Sequence, residues 1–161
     1  MSLRAATPAD AEAIARVHVQ AWRETYAGLV PQAHLDALDP AERAALWRGL
    51  VPRPDRRVAV AERGGRVVGF ACAGPGREAH PGHPGEVMAL YVLRAHHGEG
   101  LGRALLEDAL AWLGTPAYLW VLRDNPTRGF YERMGGRVIA RRDEEVGGAL
   151  RPEVAYGFGG G

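Results

Sequence analysis

Apolar positions fall three and four apart in the first third of the chain and alternate after Val58, so helices precede a block of strands. Leu3 to Ala6 reads as a short first strand. "TPAD" then opens a helix: Thr7 can cap, Pro8 suits the first turn, and Asp10 lies three residues after the cap. Ile14, Val17, His18, Ala21 and Trp22 continue it until Gly28 and Pro31 break the pattern. "PQAHLDAL" is a short second helix. Asp39, Pro40 and Glu42 repeat the start signal for a third, carried on by Ala45, Leu46 and Leu50.

From Val58, "VAVAE", "RGG" and "RVVGFACAG" predict a β-hairpin. The Pro/Gly-rich "PGREAHPGHPG" is a loop, in which His80 and His83 are expected to be exposed. "EVMALYVL" is a buried strand by its density of apolar residues. Leu101, Ala104, Leu105, Ala109, Trp112 and Leu113 mark a helix from about Gly100 that Gly114 and Pro116 stop. "AYLWVL" is a strand, "NPTRGFYERMG" a short helix, and "GRVIARRDEEV", "GG", "LRPEVAYGF" a last hairpin with a solvated "RRDEEV". With the short second helix set aside, the order is β-α-α-β-β-β-α-β-α-β-β, a mixed α/β class. No linker composition interrupts it, so residues 1–161 read as one domain with 158–161 as a flexible tail.

Composition changes this picture little. The formal net charge is +1, which gives no global field for nucleic acid or an anionic membrane. All 20 basic residues are arginines, so the chain has no lysine side chain for an acyl donor to modify. The lone Cys72 excludes an intrachain disulfide and sits in an alternating apolar strand, where a core thiol is expected. No stretch resembles a signal peptide or a membrane helix, and the expected location is cytoplasmic.

The candidate chemistry lies in "ALYVLRAHHGEGLGRALL", from Ala89 to Leu106. Three readings compete: a metal site at His96, His97 and Glu99, a phosphate cradle, or a plain strand-to-helix turn. Adjacent histidines diverge on regular backbone and match no ligand spacing, so no metal is expected. A helix start offers unpaired N–H groups and a positive dipole end, and glycines before it admit an anion closely. The spacing is neither the dinucleotide-fold nor the P-loop pattern.

These residues resemble a known family. "LYVLRAHHGEGLGRALL" is similar to the acyl-CoA pyrophosphate loop of the GNAT superfamily of N-acetyltransferases, Q/R-x-x-G-x-G/A, with His97 at the Q/R position and Gly100 and Gly102 matching. "LWVLRDNPTRGFYERMGG" resembles the family's later strand and Asn…Phe-Tyr helix, and "AWRETYAGLVP" and "EVAYGF" look like a bacterial subgroup of generic acetyltransferases. The resemblance implies a central, mostly antiparallel mixed sheet of about six or seven strands with flanking helices, splayed at the acyl-CoA site.

It also implies acetyl-CoA as co-substrate and an amine acceptor, on a small molecule or a protein, attacked in a ternary complex. A homodimer is a family habit. Leu90, Tyr91 and Val92 would hold the pantetheine arm. His97, Gly98, Glu99, Gly100, Leu101, Gly102 and Arg103 would wrap the pyrophosphate, and Asn125 would contact pantetheine or hold the strands apart. Tyr131 would be the general acid. Glu86 stands eleven residues before His97, where one branch of the family carries its catalytic glutamate, and is the candidate base. Trp120 stands where other members place theirs and cannot serve. Trp22 and Tyr26 are candidate acceptor-pocket residues. A CoA-binding regulatory module with little catalysis, and a phosphate-binding enzyme without CoA, are the other classes the same residues allow.

Overall fold

The computed structural model describes residues 2–159. Seven strands form one sheet: β1 (Ser2–Ala5), β2 (Arg57–Arg63), β3 (Arg66–Pro75), β4 (Gly85–Val92), β5 (Ala117–Leu122), β6 (Arg137–Val146) and β7 (Ala149–Phe158). The order across it is β1-β2-β3-β4-β5-β7-β6, antiparallel at every contact except β4–β5. Five α-helices surround it: α1 (Ala11–Tyr26), α2 (Gln32–Asp36), α3 (Pro40–Leu50), α4 (Leu101–Leu113) and α5 (Arg128–Arg133). The expected mixed sheet with flanking helices is therefore the observed one.

Local signals set the helix starts. Thr7 and Asp10 form the reciprocal cap ahead of α1, with the Thr7 amide donating to the Asp10 carboxylate at 2.8 Å. Asp39 accepts the Ala41 amide at 2.9 Å and starts α3. In β3 the side chains alternate between faces. Phe70 packs edge-on to Trp47 of α3 (ring centroids 5.0 Å apart) beside His18 of α1. Its neighbour Gly69 faces α4, where an added Cβ would lie 3.3 Å from Leu105 and 3.1 Å from Val92. Helices α1 and α3 thus cover one face and α4 the other.

The buried residues form three clusters. One joins β2 and β3 to α1, α3 and the first part of α4, through Leu101 and Leu105. A second joins β5 and β7 to α5 and the rest of α4, through Leu106 and Ala109. Helix α4 therefore bridges two halves of the core. Each fully buried leucine contributes about 2 kcal/mol of apolar burial. The third cluster (Tyr26, Val30, Leu35, Leu122 and Val146) ties the end of α1 and α2 to the β6–β7 hairpin.

Two expectations are corrected. Phe158 belongs to β7 and is buried against the second cluster, so the strand runs further than a tail from residue 158 allows; residues 160–161 lie outside the described ones. His83 is not exposed: it is buried, and its Nε2 bonds the Gly159 carbonyl at 3.1 Å. Its ring fills the space a side chain at Gly157 would need, 2.7 Å from the position of an added Cβ.

Candidate active site

Strands β4 and β5 run parallel but pair only at Gly85–Ala117 and Glu86–Tyr118. Beyond that β4 stays with β3 as far as Val92, and β5 stays with β7 as far as Leu122, so the sheet opens. The register against β3 shifts there: Cys72 faces Ala89 and Ala73 faces Val87, leaving Met88 as the extra residue of a bulge. A bulge bends its strand and sharpens the twist, which turns β4 away where the split begins. The Leu93 amide donates to Val68 of β3 at 2.9 Å. By strand alternation, the N–H and C=O of Leu90 and Val92 face the gap, as an edge open to an added strand.

The end of this edge leads into the glycine loop. Gly98 (φ +81°) and Gly100 (φ +82°) occupy the left-handed region that suits glycine, and Gly100 precedes α4 without any side-chain cap. Among the described residues, the six consecutive amides from Gly98 to Arg103 have no protein acceptor. These donors lie together at the positive end of a 13-residue helix, an arrangement whose chemistry suits an anion.

The side chains around the cradle turn elsewhere. His97 Nε2 donates to the Val92 carbonyl at 2.8 Å. The Glu99 carboxylate pairs with Arg63 (2.8 Å) and His96 (3.2 Å), and the Arg63 bond holds it below the usual carboxylate range. What His97 and Glu99 offer an anion is therefore backbone.

A cavity of about 510 Å³ joins the open edge, the loop, the start of α5 and the end of α1. Tyr131 lines it from α5. Its hydroxyl takes part in no hydrogen bond among the described residues yet is not sealed from solvent. Burial, with Tyr91 nearby, pushes its pKa up, so the phenol keeps its proton. Asn125 is buried at the β5–α5 junction. Its Oδ1 accepts from the Thr127 amide (2.8 Å) and hydroxyl (2.7 Å), and its Nδ2 donates to the Tyr26 hydroxyl (3.2 Å). It thus links α1 to the far side of the split. Tyr26 lines the cavity, whereas Trp22 lies behind it, donating from Nε1 to the Tyr91 hydroxyl at 2.9 Å.

Glu86 lies at the closed end of the split and is not among the lining residues. It is almost fully buried. Arg77 grips its carboxylate with Nε (3.0 Å), a second guanidinium nitrogen (2.7 Å) and its own amide (3.1 Å), and the Tyr118 hydroxyl donates at 3.1 Å. Burial pushes its pKa up, but the bonds from Arg77 outweigh that and leave it lowered. Trp120 reaches the cavity wall and donates from Nε1 to Glu78 at 3.0 Å, with the Arg142 guanidinium 3.9 Å above its ring. Cys72 is buried in the sheet with its thiol pushed up to about 11 by burial, as a core thiol should be.

Residues 17–136 match the model of the acetyltransferase (GNAT) family. The chain belongs to the GNAT acetyltransferase family. YuaI, an uncharacterized N-acetyltransferase of Bacillus subtilis, is 33% identical across 98% of this chain and 92% of its own length. Among solved structures, a ribosomal-protein-alanine N-acetyltransferase from Brucella melitensis superposes with a TM-score of 0.76 at 24% identity, covering 98% of this chain and 99% of that one. The yncA protein of Salmonella typhimurium, solved with its cofactor acetyl-CoA, superposes with a TM-score of 0.72 at 25% identity, covering 98% and 92%.

Within this GNAT frame, the sequence motifs miss several residues that line the cavity. Arg133 lines the cavity beside Arg103 and makes no ion pair among the described residues. It follows Gly129 by four residues, so helical spacing alone puts both on one face of α5. Thr25 and Thr127 also line the cavity. The bulge at Met88 and the grip of Arg77 on Glu86 have no local signature, because each joins segments that meet only in the folded sheet.

Proposed function

We propose that this N-acetyltransferase moves an acetyl group from acetyl-CoA to a primary amine by direct attack within a ternary complex. One observation carries the reading: the glycine loop with its unpaired amides, the open β4 edge and Tyr131 all line one cavity. When bound there, acetyl-CoA supplies the thioester. The chain's own residues do the rest. The Gly98–Arg103 amides cradle the pyrophosphate, with Arg103 and Arg133 adding positive charge along the wall. Leu90 and Val92 bond the pantetheine arm as an added strand would, which requires His97 to release the Val92 carbonyl. Tyr131 donates its proton to the departing thiolate. Holding both substrates in one geometry supplies much of the acceleration without a covalent enzyme intermediate.

Tyr131→Phe tests this. It should bind acetyl-CoA as tightly as the parent by calorimetry, while acetylation falls about 100-fold or more, the usual contribution of a placed proton donor. A Phe variant that turns over at the parental rate removes Tyr131 from the mechanism.

A further inference from the structure

Among the described residues, no aspartate or glutamate lines the cavity. Its charged lining is Arg103, paired with Glu107 at 2.7 Å, and Arg133, the two arginines assigned above to the pyrophosphate, with His96 and His97 at the loop end, where one histidine is bonded to Glu99 and the other to the Val92 carbonyl. Three carboxylates around the α1 and β5 end, Glu86, Glu78 and Glu153, are held by arginine side chains. Arg77 grips Glu86. Arg142 joins both Glu78 and Glu153, and Glu78 also takes the Trp120 indole and His80. Among the described residues, the Glu24 carboxylate takes only uncharged donors, the Arg94 backbone amide at 2.9 Å and the Gln20 side-chain amide at 3.2 Å, and does not line the cavity. Aromatic faces can also hold a cation; Arg142 covers that of Trp120, and the other aromatic lining residues, Tyr26, Tyr91, Phe130 and Tyr131, bring no carboxylate with them. A protonated amine entering here meets, among the described residues, no carboxylate on the cavity wall to balance its charge or take its proton.

On the acetyl-transfer reading above, we propose that the acceptor is a weakly basic primary amine, an α-amino group or an aromatic amine, which arrives uncharged. The balance of the step then needs no enzyme base. The amine nitrogen attacks the thioester carbonyl carbon, the C–N bond forms and the C–S bond breaks. The nitrogen loses one proton and the thiolate gains one by way of the Tyr131 hydroxyl, so none is released to solvent. At pH 7 about one α-amino group in ten is uncharged, against about one in 2,500 for a lysine-like amine. That fraction alone separates the two classes by more than 100-fold.

The test follows free thiol release by the full chain between pH 6 and 9. The acceptors are phenylalanine amide for the α-amino class, aniline for the aromatic class, and Nα-acetyl-lysine amide and spermidine for the strongly basic one. Phenylalanine amide or aniline should exceed Nα-acetyl-lysine amide at least about 100-fold in kcat/KM at pH 7. Where an acceptor titrates in the range, kcat/KM should rise tenfold per pH unit and level at that acceptor's own pKa. Whichever of the two leads identifies the class. Preference for spermidine or the lysine amide overturns the proposal while leaving acetyl transfer intact. So does a plateau at one pH for every acceptor that Glu86→Gln shifts or abolishes, since that assigns the proton to an enzyme base. If acetyl-CoA binds by calorimetry but no amine is acetylated, the transfer reading itself falls.

Discussion

The His18 imidazole is packed between Trp47, Phe70 and Tyr91, stacking on the last with ring centroids 5.2 Å apart. Its Nδ1 accepts the Trp47 indole N–H at 3.2 Å, a bond that only the unprotonated nitrogen can take. Burial, with Arg43 nearby, lowers its pKa from an ordinary 6.5 to about 4. The unfolded chain therefore binds the proton first as pH falls. The stabilisation is complete above about pH 6.5 and is lost on the way down to about pH 4. Urea titrations should show about 2–3 kcal/mol of stability lost through this group between pH 7 and 4.5. His18→Gln should lack that component, and an identical pH slope in the two proteins would refute it. The Asn125 side chain, engaged with Tyr26 and Thr127 across the split, shows how another polar residue takes its role from partners distant in sequence.

At the scale of elements, α4 performs two tasks. Its buried side binds the two halves of the core, and its uncapped start offers the unpaired amides of the proposed anion cradle. Gly100 makes the second possible, because an L-residue at φ +82° is strained even though nothing crowds its Cβ position. Gly100→Ala should cost about 1–2 kcal/mol of stability in chemical denaturation. It should also weaken acetyl-CoA about tenfold, as the loss of one charge-assisted hydrogen bond does. Gly64→Ala, at φ +58° in the β2–β3 turn, is the control: it should lower stability with no change in affinity. Equal binding by both variants would remove the loop from the donor site. Capping residues, glycines and periodicity made α1, α3, α4 and this loop readable from the sequence, because each signal acts within a few residues. The opening of β4 from β5 was expected only from family resemblance. Its cause, the bulge at Met88 against β3, depends on a pairing that local sequence does not encode.

For the whole molecule, the split leaves the two core clusters joined by α4 on one face and by Asn125, Tyr26 and the third cluster near the other. A ligand seated between them stabilises the folded state by mass action. Acetyl-CoA at 100 times its Kd should raise stability by about 2.7 kcal/mol and Tm by about 5–10 °C in a thermal melt. A flat response would mean that the donor does not bind here. The amino-acid sequence by itself determined where the helices start, which strands are apolar, and that a glycine loop precedes a helix after a buried strand. Backbone preference, capping and side-chain period are short-range, so they are legible in the order of residues. Only the tertiary structure decided which groups are free to act. It placed Arg77 on Glu86, folded His97 onto the Val92 carbonyl and left Tyr131 open to the cavity. Those outcomes depend on how the backbone turns after β4 and before it, and on which side chains fill the cavity wall, and residue order and side-chain period do not encode either.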